Sequence, residues 1–172
     1  MEVTRLISDF NHTIETWLAE LDHYDLKKLL NQPSPKGWSL GQVYVHIIRQ
    51  TTFFLQQVRI CSSIREHSTE AASAEAKDMF KNNAFPNLAL EGPPTNDHVP
   101  QPASIDELRS QLLDLKTEAN ELAVLLQENP SSGKTRHPGL HYFSAKEWLQ
   151  FAEMHLRHHF RQKARIDRFL KT

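Results

Sequence analysis

His155 and His159 stand four residues apart in Glu153-Met-His-Leu-Arg-His-His-Phe-Arg-Gln162. On an α-helix this spacing stacks two imidazoles on one face, about 40° apart around the axis and one turn along it. Two nitrogens so held form half of a site for a transition metal. At about 100° per residue, Trp148, Ala152, Ile166 and Leu170 fall within roughly 60° of His155, on the side where His159 sits. The pair therefore points at the core, and burying imidazoles without a purpose costs desolvation free energy. A third ligand must come from another helix, and His46 is the candidate. It shares a face with Val43, Ile47 and Phe54, so it too points inward.

The other histidines read differently. His158 lies about 60° from His155 on the side away from His159, at the edge of the site or just behind its ligands. His137 and His141 flank Pro138-Gly-Leu and reach the site only if that loop folds over it. His12, His23, His67 and His98 read as solvated. Competing metal logics fail. The pair here is His-Leu-Arg-His-His, without the glutamate of His-Glu-x-x-His. A di-iron carboxylate bundle needs two Glu-x-x-His segments, and only Glu20-Leu-Asp-His23 fits. One cysteine, Cys61, rules out a cysteine-based zinc knuckle and an intrachain disulfide.

Positioning these residues requires long helices, and four amphipathic ones are expected. The first runs roughly over 3–30, with the stripe Leu6, Phe10, Ile14, Trp17, Leu18 and Leu21, and stops before Asn31-Gln-Pro-Ser-Pro-Lys-Gly37. The second opens on the capping box Ser39-Leu-Gly-Gln42 and runs to about residue 65. The third opens on Ser104-Ile-Asp-Glu107, follows a heptad from Leu108 to Leu126, and ends at Asn129-Pro130. The fourth opens on Ser144-Ala-Lys-Glu147. The pattern predicts an all-α fold, a four-helix bundle. The first and second helices are expected to be antiparallel neighbours across their short joint. Residues 66–103 form a long crossover. Its first part, Thr69 to Asn83, suits a short helix. Its second part carries Pro86, Pro93, Pro94, Pro100 and Pro102 and excludes regular structure. A joint that long can make the second and third helices parallel or fold over one end of the bundle. The stretch from Pro86 to Pro102 is expected to form part of a pocket wall, with His98 and Tyr142 as contacts.

The totals fit one domain over residues 1–172. Lys plus Arg number 20 and Asp plus Glu 21, a balance that argues against nucleic acid as partner. No apolar run approaches the ~20 residues of a membrane span, and the N-terminus lacks a signal-peptide core. With one cysteine, a reducing cytoplasm is the expected location. Helix two is apolar around most of its circumference, through Tyr44, Val45, Ile48, Phe53, Phe54 and Leu55. Such a helix is deep in the core or covered by a partner.

The chain resembles the DinB/YfiT-like superfamily of metalloenzymes. The resemblance rests on Gly37-Trp38-Ser39 leading into the helix with His46, on Phe85-Pro86, and on His137-Pro138. Above all it rests on Glu147-Trp148-Leu149 followed by His155 to Gln162. It implies an up-down-down-up bundle and a divalent metal on His46, His155 and His159: zinc or nickel ahead of iron or manganese. It also implies a homodimer, and a small-molecule substrate handled with a low-molecular-weight thiol. One departure stands out. Many relatives have a glycine a few residues after the His-Pro, where this chain has His141 and Tyr142.

Three neutral imidazoles leave a divalent ion its full charge and an open position, the pattern of catalytic sites. Such an ion lowers the pKa of bound water to near 7 or deprotonates a bound thiol. Hydrolysis and thiol transfer are the two outcomes. A general base is not evident, since Glu153 points away and Glu147 lies at the edge, which leaves His158 or His141. The rival expectation is a structural ion in a binding or assembly module, its sphere closed by a further protein ligand.

Overall fold

The structure, a computed structural model, describes residues 2–86, 98–128 and 133–171. It is mostly helical. Among the described residues the elements are α1 (Val3–Leu21), α2 (Leu26–Leu30), α3 (Leu40–Ser63), α4 (Ala74–Asn82), α5 (Ile105–Glu128), β1 (Lys134–His137), β2 (His141–Ser144) and α6 (Ala145–Leu170). No helix among them is long and apolar enough to cross a membrane.

The long helices start where their capping residues dictate. Ser39 accepts from the Gln42 N–H while the Gln42 side-chain oxygen accepts from the Ser39 N–H, a complete capping box. Ser144 and Glu147 repeat it at α6. At α5, Ser104 supplies the hydroxyl half, accepting from the Glu107 N–H, while the Glu107 carboxylate accepts from Gln111. The first expected helix, over 3–30, is instead broken. The chain leaves α1 after Leu21, and the Asp25 carboxylate caps a new helix by accepting from the Lys28 N–H. A side-chain acceptor that outcompetes the helical backbone locally is the usual reason for such a break. The short helix expected in the crossover is α4, closed by Asn83 in the left-handed conformation. The expected end of α5 at Asn129-Pro130 lies outside the described residues, as do Pro93 and Pro94.

The four long helices pack around one core. α1 lies against α5 and α6, and α3 lies against the same two. α1 and α3 are thus not the side-by-side neighbours that the short joint suggested. That joint contains α2, which packs on α3. α1 and α3 meet across the core, where the Tyr44 hydroxyl donates to the Trp17 carbonyl at 3.0 Å and the two rings stand edge to face. Trp17 also stacks on Phe160 and donates from Nε1 to the Leu156 carbonyl. One buried tryptophan therefore ties three helices together. The apolar wrap of α3 is largely consumed within the chain: Tyr44, Ile48, Phe54 and Leu55 are buried, and Phe53 remains exposed.

An all-α reading omits one feature. Residues 134–144 form an antiparallel hairpin in which Lys134 pairs with Ser144 and His137 with His141. It is fastened to the helices by polar contacts. Trp148 Nε1 donates to the Thr135 hydroxyl at 2.7 Å, and the Cys61 thiol lies 3.5 Å from both that hydroxyl and the Phe143 carbonyl. His141 leaves the turn with φ 68°, a left-handed conformation, and its side chain is exposed. That conformation costs an L-residue about 1–2 kcal/mol. A glycine at this position relieves such strain. His141→Gly is therefore expected to raise stability by about 0.5–1 kcal/mol, net of the extra freedom glycine gives the unfolded chain. Urea unfolding checks this, and a loss of stability would mean that the imidazole itself holds the hairpin.

Candidate metal centre

The seam between α3 and α6 brings His46, His155 and His159 together. One nitrogen from each lies within 4.8 Å of the others. His155 Nε2 and His159 Nε2 are 3.2 Å apart. Two ligands at about 2.0–2.1 Å from a tetrahedral ion stand about 3.3 Å apart, so this pair already has the spacing of one tetrahedral edge. The His46 ring centroid is 5.2 Å from that of His155 and 4.8 Å from that of His159. His46 comes from the second turn of α3, which the Ser39–Gln42 box fixes in place, and Trp38 packs on its ring at 5.0 Å.

The donor set suits a transition metal. The Gln162 side-chain oxygen lies 2.9 Å from His159 Nδ1. An amide oxygen there can only accept, so His159 carries its proton on Nδ1 and presents the Nε2 lone pair to the cluster. His155 is engaged nowhere outside the cluster: its Nδ1 is buried without a partner, and Phe54 and Phe85 pack on its ring. Burial depresses all three imidazoles. His46 falls to about 4 and His159 to about 3, the latter aided by His46, and His155 lies well below the ordinary range. Neutral rings with free lone pairs are what a metal needs.

The remaining candidates separate cleanly. His158 sits beside the cluster, its ring 5.4 Å from that of His159 and 5.3 Å from that of Phe85, but it is not one of the three convergent ligands. His137 does not reach them. It is packed on Phe143, Trp148 and Phe151 and accepts from the Gly139 N–H. His141 is exposed and pairs through its backbone with Ala72. Tyr142 faces His67 rather than the cluster. His12, His23, His67 and His98 are exposed. Glu153 is turned to the α1 side, where it accepts from the Thr13 hydroxyl and forms an ion pair with Arg157. Glu147 is spent in its capping box.

The crossover frames the site from both ends. Phe85 packs on His155 and His158. Gln42 Nε2 donates to the Val99 carbonyl and the Ser39 hydroxyl bonds Gln101, which pins the returning chain to the start of α3. Most of the stretch between them lies outside the described residues, and His98 is exposed. A separate groove of about 560 Å³ lies between α3 and α5, lined by Val45, Ile48, Arg49 and Glu118 among others. It opens on another face of α3 and shares no residue with the cluster.

Burial of neutral imidazoles has a consequence for the metal-free protein. His46 and His137 titrate near 6.5 when unfolded and near 4 when folded. As pH falls below 6.5 the unfolded chain takes up protons that the fold does not, so stability present above 6.5 is lost towards pH 4. Denaturant unfolding of metal-free protein should give a lower midpoint at pH 5 than at pH 7.5. His137→Phe should reduce the difference, and a flat profile would contradict the burial of these rings.

Comparison with known proteins bears on the same segment. No curated protein and no solved structure matches the chain. A family model, described as the DinB superfamily, matches residues 8–162. The match runs from the first turns of α1 to Gln162, and so takes in His46, His155, His159 and the amide that orients the last of them. With its helices, its histidine cluster and a match over most of its length, the chain belongs to the DinB superfamily.

Proposed function

We propose that this chain is a metal-dependent enzyme that holds one divalent ion on His46, His155 and His159 and uses it to activate a small thiol for transfer to an electrophile, or water for hydrolysis. The observation that carries this reading is the 3.2 Å approach of two imidazole nitrogens, one of them oriented by Gln162. A divalent ion bound there would lower the proton affinity of a thiol or water in its open position. The chain supplies the rest. Three neutral donors leave the charge of the ion uncancelled, and no carboxylate among the described residues joins the cluster. Trp38, Phe54 and Phe85 line it with rings, and a poorly solvated site makes a positive charge act strongly on an anion. Zinc or nickel fits three imidazoles best, with iron or manganese behind.

The reading extends to a single domain over 1–172, folded as an up-down-down-up four-helix bundle, working in the cytoplasm and assembling as a homodimer. The exposed Phe53 and the α3–α5 groove are the surfaces such a dimer would cover. A second reading has its own observation. His158 lies close enough to His159 to close the sphere after a side-chain rotation, which would make the ion a structural brace in a binding or assembly module.

Metal analysis of purified protein should find about one divalent ion per chain, as a single three-histidine site requires. His155→Ala and His159→Ala should lose most of it, while His12→Ala and His67→Ala keep it. Gln162→Leu should weaken affinity by about 10–100-fold. Equal metal content in all five variants would sink the assignment.

The visible spectrum of cobalt-loaded protein then separates the two readings. A shift on adding 2-mercaptoethanol marks an open position, and His46→Ala should abolish it. A spectrum indifferent to thiols, azide and pH marks a closed, structural ion.

A further inference from the structure

One edge of the histidine cluster carries positive charge. His158, Arg161 and Arg165 follow one another at intervals of three and four residues, so they form a stripe along α6. His158 and Arg165, seven residues apart, differ by only about 20° around the axis. Side chains on a helix lean towards its N-terminus, so both arginines reach back towards His158.

Two further features mark this edge as unfinished. His158 Nδ1 is buried and has no hydrogen-bond partner, a state that calls for a missing group. The nearby carboxylates of α6 are committed elsewhere. Glu153 serves Thr13 and Arg157, and Asp167 serves Lys163 and Tyr24. Among the described residues Arg165 itself forms no ion pair. Guanidinium and imidazole N–H groups converging beside a ligand site are matched by an anion with several acceptor oxygens.

We propose that His158 and Arg165, with Arg161 beside them, form an anion subsite at the rim of the cluster. The ligand that reaches the cluster with its reactive end carries a carboxylate, sulfonate or phosphate on a short tail, and this subsite holds that tail. The inference rests on the metal reading and names the ligand class for the same site.

Three thiols of equal length and different charge test it on cobalt-loaded protein: 2-mercaptoethanol, 2-mercaptoethanesulfonate and cysteamine. Sulfonate is a poor metal ligand, so its effect reports the rim rather than chelation. The sulfonate should bind roughly tenfold more tightly than the neutral thiol, and cysteamine more weakly than either. In Arg165→Gln that preference should fall to near unity with the affinity for 2-mercaptoethanol unchanged. Arg168→Gln, one turn further along and bonded to the Ala164 carbonyl, should keep the preference. Equal affinities in the wild type, or a preference that survives Arg165→Gln, overturns the subsite.

A metal-free arm separates this failure from that of the metal reading. Ethanesulfonate, which has no thiol, is titrated into metal-free protein while the His158 side-chain resonances are followed. A shift that Arg165→Gln removes supports the subsite even where cobalt does not bind. No shift there, together with a silent cobalt spectrum, rejects both.

Discussion

Three imidazoles held out of water, uncharged and without a carboxylate among them, are the condition to which the α3–α6 seam is built. Desolvation opposes their protonation, no anion is at hand to offset it, and the Gln162 amide oxygen offsets it only in part at His159. The rings must then be held by other means. Trp38 packs on His46, Phe54 and Phe85 pack on His155, and Gln162 holds His159 by a single amide oxygen. Each of these contacts leaves a lone pair free. An aspartate or glutamate in place of any of them would raise proton affinity and draw charge away from whatever the cluster holds.

The rest of α6 is sorted around this seam. On the α1 side, Glu153 is buried yet fully engaged by Thr13 and Arg157, and Arg157 reaches on to the Asn83 carbonyl that closes α4. Further along, the nearly buried Lys163 is bracketed by Glu20 and Asp167, with Tyr24 bonded to the same aspartate. Burying such charges is tolerable only when they are paired and hydrogen-bonded. The carboxylates of Glu153 and Asp167 are thereby kept to one side of the helix and the clustered imidazoles to another. Trp17 sits between these groups and fixes α6 against α1 and α3.

Much of this could be read from residue order, because the signals involved are local. Ser39 and Ser144 mark helix starts through hydrogen bonds that span three residues. His155 and His159 share a face because they share a helix, and His46 could be paired with them from the apolar stripe around it. What escaped depends on partners remote in sequence or on a local competition between two signals. The break between α1 and α2 comes from Asp25, whose capping role competes with a continuous apolar stripe. The hairpin over 134–144 is too short to show a clear alternation, and it is held by Trp148 and Cys61, residues of two different helices. His137 is expected to reach the site only if its loop folds over it, and it is claimed instead by an aromatic cluster of Phe143, Trp148 and Phe151. Gln162 stands in the most specific motif of the chain, yet its role appears only once the direction of the His159 ring is known. The mutual placement of α1 and α3 followed neither from their short joint nor from their stripes, since α2 intervenes.

The clamps on the crossover have a consequence for how a family can diversify. Phe85 is seated on α6, and Val99 and Gln101 are tied to the first turn of α3 by the same two side chains that start that helix. The helices, and the histidines on them, take their positions from these anchors and not from the chain that joins them. Adding residues between fixed anchors costs little, since closure entropy grows only with the logarithm of length. The span between Phe85 and Val99 can therefore change in length and sequence while the three histidines keep their places.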